Sequence, residues 1–266
     1  MRCHYMSDLH LEGQEFPWRL PKGDVLILAG DLVHAACLDQ VRKDPYAVKQ
    51  RERVLRFADE AVRNFAHVLL IAGNHDHYDG IFEETAPTLR RCLPGVTVLD
   101  DEMVEIGNVG FFGATLWSDF EGRKAESLEK SRRGVGEFFF VKTRRGEGVA
   151  KFQPLDAAAA HDRSLAALKA SVAAAQGRQV VVISHHAPSL KGLNPMHAGN
   201  GLDGAYASDL DAFVASLGNV PVWVHGHTHI KKTYRIGDTI VRANCRGFEK
   251  NGGAVKGFSV AEAFDL

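Results

Sequence analysis

The sequence lacks paired cysteines, long apolar runs and an excess of charge of either sign. Its four cysteines are scattered without a CxxC pair, so we expect free thiols in a reducing compartment and no zinc knuckle or disulfide framework. The first ten residues have no continuous apolar core, which argues against a signal peptide, and no stretch approaches the roughly 18 apolar residues of a membrane span. These absences predict a cytoplasmic protein without a membrane partner.

The charge is balanced, because 32 Lys and Arg residues accompany 33 Asp and Glu residues for a formal net charge of −1. Proteins that bind long nucleic acids make many basic contacts to phosphate, so this balance argues against such a partner. With 266 residues and 45% apolar content, the chain can bury the core of one large α/β domain. We therefore expect residues 1–266 to form a single domain.

Several short runs of Val, Ile and Leu without polar alternation have the pattern of strands buried on both faces of a sheet. Between them lie two long stretches with helical spacing, 46–65 and 157–175, the second with Asp156 as its predicted N-cap. This alternation predicts an α/β sandwich on mixed or parallel sheets. The predicted strands are 25–29, 68–72, 180–184, 222–225, 232–236 and 239–243, the last two joined as a hairpin at Gly237-Asp238.

Residues 118–151 interrupt the alternation with a charged segment that contains nine basic and six acidic residues and the apolar sequence Phe138-Phe139-Phe140-Val141. Two interpretations stay open. The segment is either a solvated insertion or a cap over an active site that receives an anion. Loop shape cannot be inferred from one chain, so the sequence does not choose between them.

Side chains that can bind metal ions follow the apolar runs, where the predicted strands end. In open α/β sheets the ligand site lies beyond the carboxyl ends of the strands, so these side chains are expected to meet. A single Asp there is commonly a helix cap, but capping does not account for five such groups in one chain. The groups are Asp8 with His10, Asp31, Asn74 with His75 and Asp76, His185 with His186, and His227 with His229.

Two of these groups place donors two residues apart. In an extended segment such residues point to the same side, so Asp8 and His10 can reach one ion, as can His227 and His229. The combination of carboxylate oxygen and imidazole nitrogen suits Mn, Fe, Zn or Co. It is not typical of calcium sites, in which all donors are oxygen atoms. Glycines beside the donors allow the backbone to approach the metals closely. These glycines are Gly30, Gly73 and Gly226.

The ordered motifs resemble those of the calcineurin-like metallophosphoesterases, in particular the bacterial small phosphoesterase and phosphodiesterase type. The resemblance spans residues 8–229, and all five motifs occur in the expected order. It implies a four-layer α/β/β/α sandwich of two mixed sheets flanked by helices, with a two-metal site at the strand ends. The motifs are Asp8-x-His10, Gly30-Asp31, Gly73-Asn74-His75-Asp76, His185 and Gly226-His227-Thr228-His229.

The resemblance also implies a role for each motif residue. His75 would not bind metal; it would lie over the substrate phosphate and either protonate the leaving oxygen or stabilise phosphoryl charge. In the histidine doublet, His185 is preferred as a ligand, and His186 is a candidate substrate contact. One metal would be held by Asp8, His10 and His229, the other by Asn74, His185 and His227, and Asp31 would bridge the two.

The second motif differs from that of the protein Ser/Thr phosphatases, in which a further Asp-Arg pair follows Gly-Asp. Here residues 32–36 lack that pair, so activity on phosphoproteins is not expected. His34 in this loop is a candidate to orient His75 or to contact substrate, with a loop histidine of no role as the alternative. Arg246 is a candidate phosphate contact, because guanidinium binds phosphate through two hydrogen bonds, with a structural salt bridge as the alternative.

The predicted activity is hydrolysis of a phosphate ester by a metal-bridging hydroxide. Metal binding lowers the pKa of water from 15.7 to about 7, and the positive charge of two ions attracts an anionic phosphate. A phosphodiesterase that acts on a small or cyclic-nucleotide-like substrate is the leading hypothesis. A phosphomonoesterase or a nuclease at the same site comes next. A metal-binding scaffold that has lost catalysis is the alternative from a different class.

Overall fold

A computed structural model describes residues 1–196, 198–248 and 254–266. Over these residues the strands are β1 (Arg2–Met6), β2 (Gly23–Ala29), β3 (Phe65–Ile71), β4 (Val96–Leu99), β5 (Glu102–Ile106), β6 (Val109–Ala114), β7 (Lys142–Arg145), β8 (Gly148–Lys151), β9 (Val180–Ser184), β10 (Val222–His225), β11 (Lys231–Ile236), β12 (Thr239–Asn244) and β13 (Ala263–Asp265). The α-helices are α1 (Pro45–Asn64), α2 (Thr85–Cys92), α3 (Phe120–Arg123), α4 (Ala125–Gly134), α5 (Glu137–Phe140), α6 (Pro154–Ala174), α7 (Asp203–Tyr206) and α8 (Asp211–Ala215). Short 3-10 helices cover Ala35–Cys37, His75–His77, Phe82–Glu84 and Leu190–Gly192.

The strands form two large mixed sheets and one small hairpin sheet. The first sheet has the order β13-β1-β2-β3-β4, in which β1 to β4 are parallel and β13 is antiparallel. The second has the order β11-β12-β10-β9-β6-β5, with four parallel strands between antiparallel edge strands. The sheets meet where their parallel strands end, because Ser7 forms a bridge with Cys245.

Successive residues of the central strands face opposite cores. In β2, Val25 and Ile27 pack between the two sheets, whereas Leu26 faces the core that includes Val54 and Phe57 of α1. Across the second sheet, alternate residues of β9 and β10 pack toward α6 and α8. The layers are therefore α/β/β/α, as predicted. Among the described helices, none combines the length and apolarity needed to span a membrane.

Most predicted elements are confirmed, with small shifts at their ends. The strands 180–184 and 222–225 coincide with β9 and β10, and the two predicted helices correspond to α1 and α6. The hairpin of β11 and β12 turns at Gly237-Asp238 as predicted.

The predicted N-cap of α6 is wrong. Gln153 is the N-cap, and Pro154 occupies the first turn, where a missing backbone N–H costs little. Asp156 lies one turn further on, and its carboxylate accepts a hydrogen bond of 2.9 Å from the backbone N–H of Gln153. The helix therefore begins with a capping box, and Asp156 forms its second half.

Residues 118–151 fold as α3, α4, α5 and the β7–β8 hairpin around an aromatic cluster. Phe120 and Phe138 are buried there, with Trp117 and Phe152 from the flanking chain. The small alanines of α6 complete the cluster. The segment is therefore packed against the main body through its own apolar contacts.

Candidate metal centre

The structure brings the seven predicted metal ligands together where the two sheets meet. Each follows the carboxyl end of a parallel strand, so the convergence is a direct consequence of sheet topology. The Ser7 N–H donates to the Asn244 carbonyl over 3.2 Å, which joins the strand ends of the two sheets. The ligands are Asp8 and His10 after β1, Asp31 after β2, Asn74 after β3, His185 after β9, and His227 and His229 after β10.

Five of these seven residues have a left-handed backbone. Their φ angles are 54° for Asp8, 48° for His10, 56° for Asp31, 68° for His227 and 48° for His229. The expectation of extended segments with donors on one side is therefore wrong, although the donors do converge. A non-glycine residue in this region costs of order 1–3 kcal/mol, and such strain is common at functional sites. Here hydrogen bonds between the loops hold the strained backbone in place.

The loops of the first two motifs are bonded directly to each other. The Asp8 N–H donates to the Gly30 carbonyl and the His10 N–H to the Asp31 carbonyl, both over 3.0 Å. From the last motif, the His227 N–H donates to Asp8 Oδ1 over 3.0 Å. The arrangement of the candidate ligands is therefore built into the backbone of three loops.

The first donor set surrounds one point. Nε2 of His229 lies 3.3 Å from Asp8 Oδ1 and 3.1 Å from Nε2 of His10. Nε2 of His10 lies 3.8 Å from Oδ2 of Asp31. All four residues can place one donor atom within 4.8 Å of the others.

The second donor set also includes Asp31. Nε2 of His185 is 2.9 Å from Asn74 Oδ1 and 3.3 Å from Asp31 Oδ2. Donor atoms of Asp31, His185 and His227 also lie within 4.8 Å of one another. Nε2 of His227 is buried without a hydrogen-bond partner among the described residues, which is unusual for a buried polar atom. A metal ion at this point would satisfy it.

Asp31 is common to both sets through the same oxygen, Oδ2. Burial opposes ionisation of Asp31, but the neighbouring His185 and His75 hold the pKa of its carboxyl well below the ordinary value. Its other oxygen accepts the backbone N–H of His75 over 2.8 Å. An ionised carboxylate between two sets of nitrogen and oxygen donors fits a pair of divalent ions.

A further set of contacts orients these ligands. Nδ1 of His185 donates to the Ala29 carbonyl over 2.9 Å, which turns Nε2 toward the donor cluster. Nδ2 of Asn74 donates to Glu137 over 3.3 Å, which leaves Oδ1 facing the same cluster. The carboxylate of Asp76 accepts four backbone N–H groups, those of Asp31, Leu32, Val33 and Gly73. Asp76 therefore holds the backbone of the second motif next to that of the third.

Glycine is required where two motifs touch. A Cβ atom at Gly73 would lie 2.2 Å from Oδ1 and 2.5 Å from the backbone nitrogen of Asp31. At Gly30 it would lie 2.4 Å from Nδ1 of His185. The close approach at these two glycines is to proposed ligand residues, whereas an approach to the metals was expected.

His75 lies at the floor of a cleft of about 340 Å³ above the donor cluster. Its ring stacks on Tyr78 at 4.3 Å, and Nδ1 lies 3.1 Å from Oε1 of Glu12. Burial lowers the pKa of this imidazole, but the carboxylates of Asp31 and Glu12 outweigh burial and raise it to about 9. With Nδ1 bound to Glu12, Nε2 is the ring nitrogen that can face a substrate.

The charged segment 118–151 supplies one wall of the cleft. The residues of this segment that line the cleft are Gly134, Val135, Gly136 and Glu137. Two basic side chains of the segment form ion pairs outside the cleft lining, Arg144 with Glu84 and Arg145 with Asp156. The part of this segment that borders the cleft therefore contributes a carboxyl group and no basic side chain. The rest of the lining includes the aromatic side chains of Tyr206 and Phe248.

Arg246 does not line the cleft. Its side chain is fully buried and donates to the carbonyls of Leu9 and Glu15 over 2.9 and 2.6 Å. The guanidinium also lies 5.1 Å from the ring centre of Trp18. These contacts commit the guanidinium to the loop after the first motif, so the structure does not bring it to the cleft.

The two other predicted substrate contacts also lie outside the cleft lining. His186 is buried behind His227, with ring centres 4.2 Å apart, and Nδ1 lies 3.4 Å from the Thr115 carbonyl. His34 lies 3.5 Å from Asp79 and 6.2 Å, ring to ring, from His75. His186 therefore packs against a proposed ligand, and His34 lies at the back of the His75 ring without a hydrogen bond to it among the described residues.

Sequence reasoning missed Glu12 and Glu137. Glu12 stands two residues after His10, so the spacing Asp-x-His-x-Glu was a usable signal. Glu137 lies in a segment of 15 charged residues with no feature that distinguishes it. Its place beside Asn74 depends on how the segment folds back, which no local pattern encodes.

Comparisons with known proteins place this arrangement in a wider group. A family model described as calcineurin-like phosphoesterase matches residues 1–231. An uncharacterized protein of Acanthamoeba polyphaga mimivirus is 21% identical over 274 residues, which cover 92% of this chain and 90% of that protein. The solved structure of phosphopantetheinyl hydrolase from Mycobacterium tuberculosis has a TM-score of 0.63 at 18% identity and covers 92% of this chain and 89% of that one. The Plasmodium protein described as the anchor in the inner membrane complex has a TM-score of 0.51 at 10% identity, over 100% of this chain and 88% of that one. At these identities the structural matches show a shared fold.

Proposed function

This chain belongs to the calcineurin-like phosphoesterase family and is a metal-dependent phosphoesterase, and we propose that it hydrolyses a small phosphate diester at a two-metal centre. The observation that carries this proposal is the position of Asp31, whose Oδ2 atom lies 3.8 Å from Nε2 of His10 in one donor set and 3.3 Å from Nε2 of His185 in the other. The unpartnered nitrogen of His227 supports the same arrangement. Mn, Fe, Zn and Co all suit this mixture of donors.

In the proposed centre, Asp31 would be the residue shared by two ions. When bound, the ions supply positive charge for the phosphoryl oxygens and lower the pKa of water. The chain supplies two fixed sets of donor atoms, and burial keeps solvent away from them. Asp8, His10 and His229 form one set, and Asn74, His185 and His227 form the other.

His75 is the proposed proton donor to the leaving oxygen. It lines the cleft directly over the donor cluster, and Glu12 holds its Nδ1 atom. A positioned general acid typically accelerates such a step by 10² to 10⁴. An imidazolium at this place also stabilises charge on the phosphoryl group, so both roles use the same position.

The walls of the cleft favour a diester over a monoester. A phosphate monoester has a second pKa near 6 and is mostly a dianion at neutral pH, whereas a diester carries one charge. Asp203 lines the cleft, and an extra negative charge on the substrate would be disfavoured beside its carboxylate. The aromatic rings of Tyr78, Tyr206 and Phe248 offer apolar contact to an organic group. Segment 118–151 is the proposed cap that selects this group.

Hydrolysis of bis(p-nitrophenyl) phosphate and of p-nitrophenyl phosphate, each with Mn²⁺, tests the proposal. We expect faster turnover of the diester and loss of both activities in Asp31→Asn, with the exposed Asp59→Asn as the matched control. Faster hydrolysis of the monoester would instead support a phosphomonoesterase. A subsequent screen of cyclic nucleotides, dinucleotides and glycerophosphodiesters identifies the substrate class, and cleavage of long nucleic acid would support a nuclease.

The second candidate function is a scaffold without catalysis, and the Plasmodium anchor shares the fold. The simultaneous presence of His75 and all seven ligands favours the enzyme, because a scaffold needs no proton donor above the metals. Absence of hydrolysis with Mn²⁺, Fe²⁺, Zn²⁺ and Co²⁺ would favour the scaffold.

We also propose a reducing, cytoplasmic location. All four cysteines are free, and Cys3, Cys37 and Cys245 are buried. Free thiols of this kind are typical of proteins from reducing compartments. Subcellular fractionation of the source cells tests this location.

A further inference from the structure

Glu12 joins the proposed proton donor to a proposed metal ligand through a single atom. Its Oε1 atom lies 2.8 Å from Nδ1 of His10 and 3.1 Å from Nδ1 of His75. The two imidazole rings meet edge to face with their centres 4.6 Å apart. One buried carboxylate oxygen therefore accepts hydrogen bonds from both histidines.

This contact determines how both rings are oriented. A neutral imidazole that donates from Nδ1 has Nε2 free as an acceptor or ligand. For His10, this directs Nε2 to the donor set that contains Asp31 and His229. For His75, it directs Nε2 to the cleft. The same oxygen thus sets the metal-facing atom of one ring and the substrate-facing atom of the other.

Neighbouring carboxylates are engaged elsewhere. Asp76 accepts four backbone N–H groups, and Oδ1 of Asp31 accepts the backbone N–H of His75. Asp79 faces His34. The second motif also lacks the additional Asp of the protein phosphatases, so Glu12 from the first motif is the carboxylate that meets the His75 side chain.

The backbone around Glu12 is held firmly. The Leu11 N–H donates to the Leu32 carbonyl over 2.9 Å, and Arg53 donates to the carbonyls of Leu11 and Glu12 over 3.3 and 3.2 Å. The Glu12 side chain is buried, and its Oε2 atom has no hydrogen-bond partner among the described residues. All of its described hydrogen bonding is therefore directed at the two histidines.

We propose that Glu12 is a positioning residue that aligns His75 with the metal centre through His10, so that proton donation and metal binding depend on one side chain. This inference rests on the proposed function, because it assigns Glu12 to the same site. Partners that orient metal-binding histidines typically contribute 10- to 100-fold to metal affinity or activity. Glu12→Gln keeps the shape of the side chain and removes its charge and one acceptor atom.

The kinetic test is a double-mutant cycle of Glu12→Gln and His75→Ala, with exposed Glu15→Gln as the matched control. With a diester that has a poor alkoxide leaving group, we expect Glu12→Gln to lower kcat by roughly 10- to 100-fold and to leave KM nearly unchanged. In the His75→Ala background the same change should have a much smaller effect on kcat, because the residue through which it acts is gone. Equal, multiplicative losses in both backgrounds would overturn the positioning role.

Two measurements do not depend on activity. Calorimetry of Zn²⁺ binding should show weaker binding by Glu12→Gln than by the wild type and by Glu15→Gln. Histidine ¹⁵N NMR of the zinc-loaded wild type should show the proton on Nδ1 of both His10 and His75. A His75 ring without a proton on Nδ1 overturns the inference even if the variants do not fold. Wild type that binds zinc with these tautomers but hydrolyses no phosphate ester would contradict the proposed function and leave the link through Glu12 intact.

Discussion

The side-chain amide of Asn74 donates to the buried carboxyl group of Glu137 over 3.3 Å. Glu137 belongs to the charged segment 118–151, and Asn74 is a proposed metal ligand. The contact sets which end of the amide faces the donor cluster, because Nδ2 is engaged by Glu137 and Oδ1 lies 2.9 Å from His185. A segment outside the shared motifs therefore determines the orientation of a residue within them.

Glu137→Leu is expected to weaken the second metal site. Without its acceptor the amide of Asn74 can rotate, and the loss of such a contact typically costs 10- to 100-fold in metal affinity. Calorimetric titration with Mn²⁺ measures this, with the exposed Glu147→Leu of the same segment as the control. Two unchanged binding steps in Glu137→Leu would show that the contact does not orient Asn74.

His75→Ala should keep both metals and lose turnover. The expected loss in kcat is of order 10² to 10⁴ for a diester with an alkoxide leaving group, since this oxygen needs a proton in the transition state. For a p-nitrophenolate leaving group, which is stable without a proton, the loss should be smaller. Steady-state kinetics on both substrates check this, with exposed His67→Ala as the control. If His75→Ala hydrolysed the alkoxide diester at the wild-type rate, proton donation by His75 would be ruled out.

Gly73→Ala is expected to abolish tight metal binding. The new Cβ atom would lie 2.5 Å from the backbone nitrogen of Asp31, so a backbone shift is required rather than a side-chain adjustment. Because Asp31 is the proposed bridge, both ions should be affected. Metal content after gel filtration tests this against Gly218→Ala, whose Cβ atom would meet no other heavy atom within 4 Å. Full metal content in the Gly73 variant would contradict the close packing.

Arg246→Met should lower stability without raising KM. The guanidinium donates to two backbone carbonyls in a buried place, and loss of hydrogen bonds from a charged group costs about 2–4 kcal/mol here. Urea denaturation gives the free energy of unfolding, and diester kinetics give KM. A large rise in KM at unchanged stability would restore Arg246 as a substrate contact.

The convergence of the ligands was predictable from the sequence because two independent signals coincide. Strongly apolar runs such as 68–72 and 180–184 mark buried strands, and Asp, Asn and His residues directly follow them. Parallel strands bring these positions to one edge whatever the loops do. Asp31 follows its strand by two residues without a competing neighbour, whereas the doublet of His185 and His186 offered two candidates for one position.

The backbone conformation at the ligands was not predictable in the same way. Alternation in an extended strand would place Asp8 and His10 on one side, but both residues have positive φ angles, and the loop bonds to Gly30 and Asp31 impose them. The spacing of two residues correctly predicted that the two side chains converge, but the reason given, an extended backbone, was wrong. Tertiary hydrogen bonds decide this geometry, and they are invisible in a local pattern.

Side-chain direction explains why two predicted substrate contacts, Arg246 and His186, do not line the cleft. Arg246 lies just after β12, close in the chain to the strand ends, yet its guanidinium points to the loop that follows the first motif. His186 neighbours a proposed ligand and faces the other way. Proximity along the chain places a residue near a site without deciding which core its side chain enters.

The most direct test of the central claim is the anomalous scattering of crystals grown with Mn²⁺, together with the metal content of the same protein. We expect two ions per chain, about 3.5–4 Å apart, with Asp31 bound to both, and loss of at least one ion in Asp31→Asn. A single ion, or two ions neither of which contacts Asp31, would contradict that claim.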